Sequence, residues 1–366
     1  LDKKTIGILG ATGYVGQEAV RTLLAFTGHN IVLGGRNITK ICQLFPETTA
    51  KGDCFQVDIY DRQMLHRFCG NCDIVVNCAG PANKISDTIA QAAIEQRVHY
   101  VDASGGEVLL QQLRRREQEI VKNNLLFVVA SGVYPGLSEL FPAYIAEKYF
   151  DDMDSLELFF AGQGAFSLNA AYDIVCGIEA DSGSGMTCYQ HGAVKRISGN
   201  FHTSYTLPYP AGQLDTYPVI SREFEQMAKC YPIQSARFYN TYANKAAFHT
   251  LVMIKAMKQY KTEEQKKASA KKLAEQFDIR RKAIDDFTMF HLIAAGNKSG
   301  RRVRLAANLL YRSDWNALSG KVAANVARMI IEGKQEKSGC FFAAEGVEAA
   351  KVVEALTEQN IELKLH

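Results

Sequence analysis

No uninterrupted apolar run in this 366-residue chain reaches the roughly 18 residues that span a bilayer, so no membrane partner is expected. An excess of one charge is missing too. Against 42 Lys and Arg stand 39 Asp and Glu, for a net charge of +3. A nucleic-acid partner would need a concentrated basic surface, which this balance argues against. The nine cysteines are odd in number and lack framework spacing, as for reduced thiols in a cytoplasmic enzyme. Cys69-Gly-Asn-Cys72 has redox-motif spacing but closes a helix instead of opening one. The eight histidines form no metal-ligand pattern, so no metal is expected. No Gly-x-Ser-x-Gly elbow is present, which removes the serine hydrolases. Leu1-Asp-Lys-Lys4 runs straight into an apolar strand without a secretory signal, which again points to the cytoplasm. No internal repeat or low-complexity segment appears.

Apolar residues, by contrast, are plentiful at 47%, and the length suits two domains of roughly 100–200 residues each. The run Thr5–Leu9 leads into Gly10-Ala-Thr12-Gly13-Tyr14-Val15-Gly16 and then a helical pattern over Tyr14–Phe26. A strand ending in spaced glycines and feeding a helix is how a dinucleotide pyrophosphate is held. The helix start offers unpaired N–H groups and a positive dipole end to the anion. Further Val- and Ile-rich runs follow at Asn30–Gly35, Cys54–Ile59, Cys72–Cys78, Tyr100–Ala103 and Leu125–Ala130. Helical patterns such as Ile85–Gln96 and Gly106–Asn123 separate them. The fold class predicted is α/β: a Rossmann doubly wound parallel sheet with a second, α+β domain. The boundaries read as 1–140 for the cofactor domain and 141–314 for a substrate and dimerisation domain. Residues 315–366 read as a C-terminal segment packing back on the first, opening with the apolar helix Trp315–Glu332. Within the second domain Ser155–Gly162 reads as a strand, Leu168–Glu179 as a helix and Lys255–Lys282 as a charged, solvated helix. Met289–Ala295 and Arg301–Leu310 read as a hairpin.

The second strand ends Gly34-Gly35-Arg36-Asn37. An NAD site places an acid there for the ribose 2′-hydroxyl, whereas a guanidinium suits a 2′-phosphate. NADP(H) is therefore the expected cofactor, held by Arg36 with Asn37 assisting, although an arginine at a strand end is also an ordinary surface residue. Asp58, near the end of the third strand, joins the cofactor set. The small residues Cys78, Ala79, Gly80 and Pro81 after the fourth strand let the chain pass close to the cofactor. Ala103 and Ser104 follow the fifth, and Tyr134 lies on the loop after the sixth. Parallel strands share their carboxyl ends, so all these loops lie on one rim.

Together the glycine loop, Val76-Asn77-Cys78-Ala79-Gly80-Pro81, Tyr100-Val101-Asp102-Ala103-Ser104-Gly105 and Gly132-Val133-Tyr134-Pro135-Gly136-Leu137 resemble the saccharopine dehydrogenase-like reductases. The likeness covers the first 140 residues and returns near Gly339–Glu345. From about 160 to 310 it holds only in outline. It implies NAD(P)H on a Rossmann domain, a separate substrate domain and reduction of a C=N bond, or oxidation of a secondary amine in reverse. The family precedent and the apolar hairpin suggest a homodimer.

Tyr189, Tyr205, Tyr209, Tyr217, Tyr231, Tyr239 and Tyr242, interleaved with Phe201, Phe224, Phe238 and Phe248, suit either an ordinary core or an aromatic substrate pocket. Clustered arginines, which an opine-type amino acid would want, are absent: Arg196, Arg222 and Arg237 are far apart. The thiazolinyl imine reductases of siderophore assembly have an activity that fits, with the imine small or tethered to a peptide-synthetase carrier domain. Hydride transfer to an imine calls for a proton donor. Tyr134 is the first candidate, with Asp102 to orient either the nicotinamide or the proton donor and His191 of the second domain as another. His249 has the same standing, and His99 opens its strand at the wrong end. The rival readings are an opine-type dehydrogenase and a non-catalytic NADP sensor. A short-chain carbonyl reductase fits less well, since no Tyr-x-x-x-Lys pair follows the fourth strand at the usual distance.

Overall fold

Alternation of Val- and Ile-rich runs with amphipathic helices gives the first part of the chain a parallel sheet. In the computed structural model, residues 3–50, 52–180, 183–242, 245–278, 285–333 and 337–366 are described. Strands β1 (Thr5–Leu9), β2 (Asn30–Gly35), β3 (Cys54–Gln56), β4 (Ile74–Asn77), β5 (His99–Asp102) and β6 (Leu126–Val129) lie in the order β3-β2-β1-β4-β5-β6. Every neighbouring pair is parallel. A seventh strand, Gly339–Phe342, joins outside β6, with Gly339 opposite Leu126 and Phe342 opposite Val129. Both faces are covered, and Ile6, Ile8, Val75, Val76, Phe127 and Val128 are fully buried.

Several elements are shorter than their apolar runs suggest. The third strand stops at Gln56, because Asp58 turns the chain by accepting the Tyr60 N–H at 3.1 Å. The run Ile85–Gln96 divides into helices Ala82–Ile85 and Thr88–Gln96, since Ser86 has φ +52°. Gly106–Asn123 divides into Glu107–Arg114 and Glu117–Lys122. Lys255–Lys282 likewise resolves into Lys245–Ala256 and Glu263–Asp278, with Lys258 at φ +53° between them; residues 279–282 lie outside the described set.

The chain forms two compact units. The first comprises residues 1–140 and 316–356, the second 141–315 and 357–366. Helix Trp315–Glu332 has the bounds read from the sequence and carries the chain back to the first unit, where Lys321 pairs with Glu18 at 2.9 Å. The 315–366 segment does not stay together. Its last strand, Ile361–Leu365, pairs antiparallel with Arg301–Tyr311 in the second sheet. The physical reason is an edge: Arg301–Tyr311, half of the long hairpin with Phe287–Lys298, otherwise leaves one side of its backbone unpaired. Strand Asp152–Gln163 lies on the other side of Phe287–Lys298.

Candidate functional site

The carboxyl ends of β1, β2, β4, β5 and β6 share one rim, and the strand order reverses at β1. In such sheets a ligand binds at that reversal. Gly10 has φ +82°, and the Gly13 N–H returns to the Gly10 carbonyl at 2.9 Å. A Cβ on Gly10 would sit 2.6 Å from the Ala79 nitrogen of the β4 loop. One on Gly16 would collide with the Gly10 carbonyl oxygen and lie 3.0 Å from the Ala11 Cα. Glycine is thus required for the loop, the next strand's loop and helix Tyr14–Phe26 to meet. The helix N-cap, Gly13, brings no side chain to the first-turn N–H groups, and the first helical bond is Gln17 N–H to the Gly13 carbonyl at 2.8 Å. Such a cradle fits a diphosphate held by Gly10, Thr12, Gly13, Tyr14, Val15 and Gly16.

At the end of β2, Gly35 precedes the exposed Arg36, which has no carboxylate partner among the described residues. Asn37 is otherwise engaged: its Oδ1 accepts the Lys40 N–H at 2.9 Å and caps helix Ile38–Leu44. The Asp58 turn likewise occupies one of that residue's carboxylate oxygens.

Asp102 is 2% exposed and is the best-partnered group of the rim. Its Oδ2 accepts the Tyr100 hydroxyl at 2.6 Å and the Asn77 amide at 2.9 Å. Its Oδ1 accepts the Ser104 N–H at 2.9 Å and the Gly105 N–H at 2.6 Å. Asn77 Oδ1 in turn accepts the Ala79 N–H at 2.9 Å. The Ser131 N–H reaches the Asp102 carbonyl at 2.9 Å. The buried Asp102 carboxylate thus ties β4 to β5 and its loop, and its backbone carbonyl adds the β6 loop. Burial, then the Asp102 charge, pushes the Tyr100 phenol well above its ordinary value. The same two causes push the Cys78 thiol up. With four donors on its carboxylate, Asp102 anchors the rim. The sequence pattern did not single out Asn77 or Tyr100 as its partners, although Tyr100, two residues before Asp102 on one strand, shares its face.

Tyr134, partly buried, lies on the loop from β6 to helix Leu137–Tyr149. That loop is closed by Gly132 N–H to the Pro135 carbonyl at 3.2 Å and Leu137 N–H to the Gly132 carbonyl at 2.8 Å. Glu139, which the sequence pattern did not single out, is 2% exposed and accepts the Gly136 N–H at 2.6 Å. His191 belongs to the second unit. It is an exposed residue with φ +48° in the turn between Thr187–Gln190 and Ala193–Arg196 of the second sheet. A turn role accounts for it. His249 is exposed on helix Lys245–Ala256. The His99 Nδ1 accepts the Leu126 N–H at 3.1 Å, at the opening end of β5. Burial pushes the Cys69 thiol up to about 12 and Cys72 higher still, as for unreactive core thiols.

In the second unit the aromatic residues pack on one another. Phe159 stacks on Tyr205 at 4.3 Å and Tyr239 at 4.7 Å, and Tyr217 on Phe248 at 3.6 Å. Phe224, Phe238 and Tyr239 are fully buried, which is the core alternative. Arg222 pairs with Glu225 at 2.9 Å and Arg237 with Glu157 at 3.5 Å. No helix among the described residues is long and apolar enough to cross a membrane.

Residues 6–128 match the family described as the saccharopine dehydrogenase NADP binding domain. A lipid droplet localized protein of Caenorhabditis elegans is 20% identical over 184 residues, which cover 46% of this chain and 43% of that one. A probable mitochondrial saccharopine dehydrogenase-like oxidoreductase of Arabidopsis thaliana is 27% identical over 122 residues, 29% of this chain and 26% of that one. The chain thus spans less than half the length of these curated relatives. Among solved structures, apo saccharopine dehydrogenase (L-Glu forming) from Saccharomyces cerevisiae has the same fold. Its TM-score is 0.69 at 14% identity, over 99% of this chain and all of that one.

Proposed function

We propose that the chain is an NADPH-dependent oxidoreductase acting on carbon–nitrogen bonds, a reading supported by the match of residues 6–128 to the saccharopine dehydrogenase NADP binding domain. The observation that carries this reading is the rim itself. It combines a diphosphate cradle, a free-standing arginine where NAD sites keep an acid, and a phenol on the β6 loop. NADPH supplies a hydride to the carbon of a C=N bond. The chain's residues do the rest. Gly10 to Gly16 hold the diphosphate, and Arg36 takes the 2′-phosphate. The Cys78–Pro81 and Ala103–Ser104 loops, fixed through Asp102, are the rim segments that would hold the reactive end of the cofactor. The Tyr134 hydroxyl gives its proton to the substrate nitrogen and recovers one from solvent, leaving a secondary amine. The substrate class proposed is a heterocyclic imine, free or carrier-tethered.

A second reading is an amino-acid dehydrogenase running toward oxidation. The whole-length likeness in fold to saccharopine dehydrogenase favours it. The acids already paired with Arg222 and Arg237 count against those two as anchors for substrate carboxylates. Assaying thiazoline-type imines with NADPH, and opine-type amino acids with NADP+, separates the two readings. Turnover of neither would sink both.

Two substitutions test the roles. NADPH is expected to bind at least about tenfold tighter than NADH, equivalent to about 1.4 kcal/mol, and Arg36→Ala to erase most of the difference. Equal wild-type affinities in a titration would refute the 2′-phosphate role. Tyr134→Phe is expected to lower turnover on the order of 10²-fold with NADPH affinity little changed. Unchanged turnover removes Tyr134 as the acid.

A further inference from the structure

Helix Trp315–Glu332 lies far along the chain from the matched segment, yet it reaches two parts of the rim at once. The Ser319 hydroxyl accepts the Val133 N–H at 3.2 Å, one residue before Tyr134. A Cβ on Gly132 would lie 3.3 Å from that hydroxyl, so the helix and the β6 loop are in close contact there. The next residue faces the pyrophosphate helix. A Cβ on Gly320 would meet the Val15 carbonyl, and would lie 2.8 Å from the Ala19 nitrogen and 2.9 Å from the Glu18 Cβ. Lys321 then pairs with Glu18 at 2.9 Å, with both side chains less than one-fifth exposed. Three consecutive residues thus bind the loop bearing Tyr134 to the helix whose first turn forms the diphosphate cradle.

We infer that Ser319-Gly320-Lys321 is a positioning element of the cofactor site, coupling the Tyr134 loop to the diphosphate-binding helix. This rests on the reading of that rim as an NADPH site. The reason is geometric. A helix start grips an anion well only if it is held at the right depth, and a proton donor works only within hydrogen-bond reach. Gly320 sets the depth by letting the two helices approach without a side chain between them. Ser319 sets the loop by occupying a backbone N–H that would otherwise be free to move with it.

The test needs no substrate. NADPH affinity is measured by fluorescence titration of the full chain. Amide hydrogen exchange is then followed with and without NADPH. In the wild type, NADPH is expected to protect both Gly10–Gly16 and the Ala130–Gly136 loop. Gly320→Ala is expected to weaken NADPH binding about tenfold or more. Ser319→Ala is expected to keep affinity within about threefold and to keep protection of Gly10–Gly16, while the gain at Ala130–Gly136 disappears. That split separates a positioning role from a general loss of structure, which would lower protection everywhere with or without NADPH. Variants that bind and protect like the wild type overturn the inference. A wild type that fails to bind NADPH overturns the cofactor reading with it.

Discussion

Asp102→Ala is expected to lower the stability of the first unit by about 4 kcal/mol or more, at about 1–3 kcal/mol for each buried donor left without a partner. Four donors converge on this carboxylate: the Tyr100 hydroxyl, the Asn77 amide and the Ser104 and Gly105 N–H groups. Alanine supplies none of the acceptors, and the site is 2% exposed, so water is a poor substitute. At about 2–4 °C per kcal/mol for a unit of this size, the thermal midpoint should fall on the order of 10 °C. Asp102→Asn should fall between wild type and alanine. Its oxygen can still accept the two backbone N–H groups, but its amide faces the Asn77 amide, donor against donor. Thermal and urea unfolding of the three proteins check the order. An alanine variant as stable as the wild type would show that the carboxylate is dispensable to the rim.

The second large effect is expected at Gly16. Gly16→Ala should raise the NADPH dissociation constant on the order of 100-fold. That corresponds to losing one or two charge-assisted hydrogen bonds at about 1.5–3 kcal/mol each. The added methyl collides with the Gly10 carbonyl, so either the loop opens or the helix withdraws. Both movements take first-turn N–H groups away from the diphosphate. NADPH at about 100 times its dissociation constant stabilises a binding protein by about 2.7 kcal/mol. The corresponding upward shift in thermal midpoint should be present in the wild type and absent in Gly16→Ala. Equal shifts in the two proteins would mean that the glycine loop does not contact the cofactor.

Local features were legible in the sequence. Strand Thr5–Leu9, the glycine loop and the helix after it are contiguous, so spacing alone reveals them. Trp315–Glu332 was legible for the same reason, since its apolar periodicity is unbroken from end to end. Arg36 stands out because the position before it lacks an acid. The joining of Gly339–Phe342 to β6 depends on pairing partners distant in sequence, which no local pattern encodes. The same holds for the donors around Asp102, drawn from two strands and the loop after β5, and for the Ser319 contact with Val133. Splits at Ser86 and Lys258 escaped because a single left-handed residue interrupts an otherwise helical pattern.

Gly339–Phe342 carries a consequence for how the molecule is made. During synthesis β6 emerges long before the strand that pairs with it, and residues 141–315 of the second unit are produced in between. Until Phe342 leaves the ribosome, the outer side of β6 is a row of unpaired backbone groups flanked by apolar side chains, able to recruit a neighbouring nascent chain. The coenzyme-binding unit is therefore completed only after most of the second unit has been made.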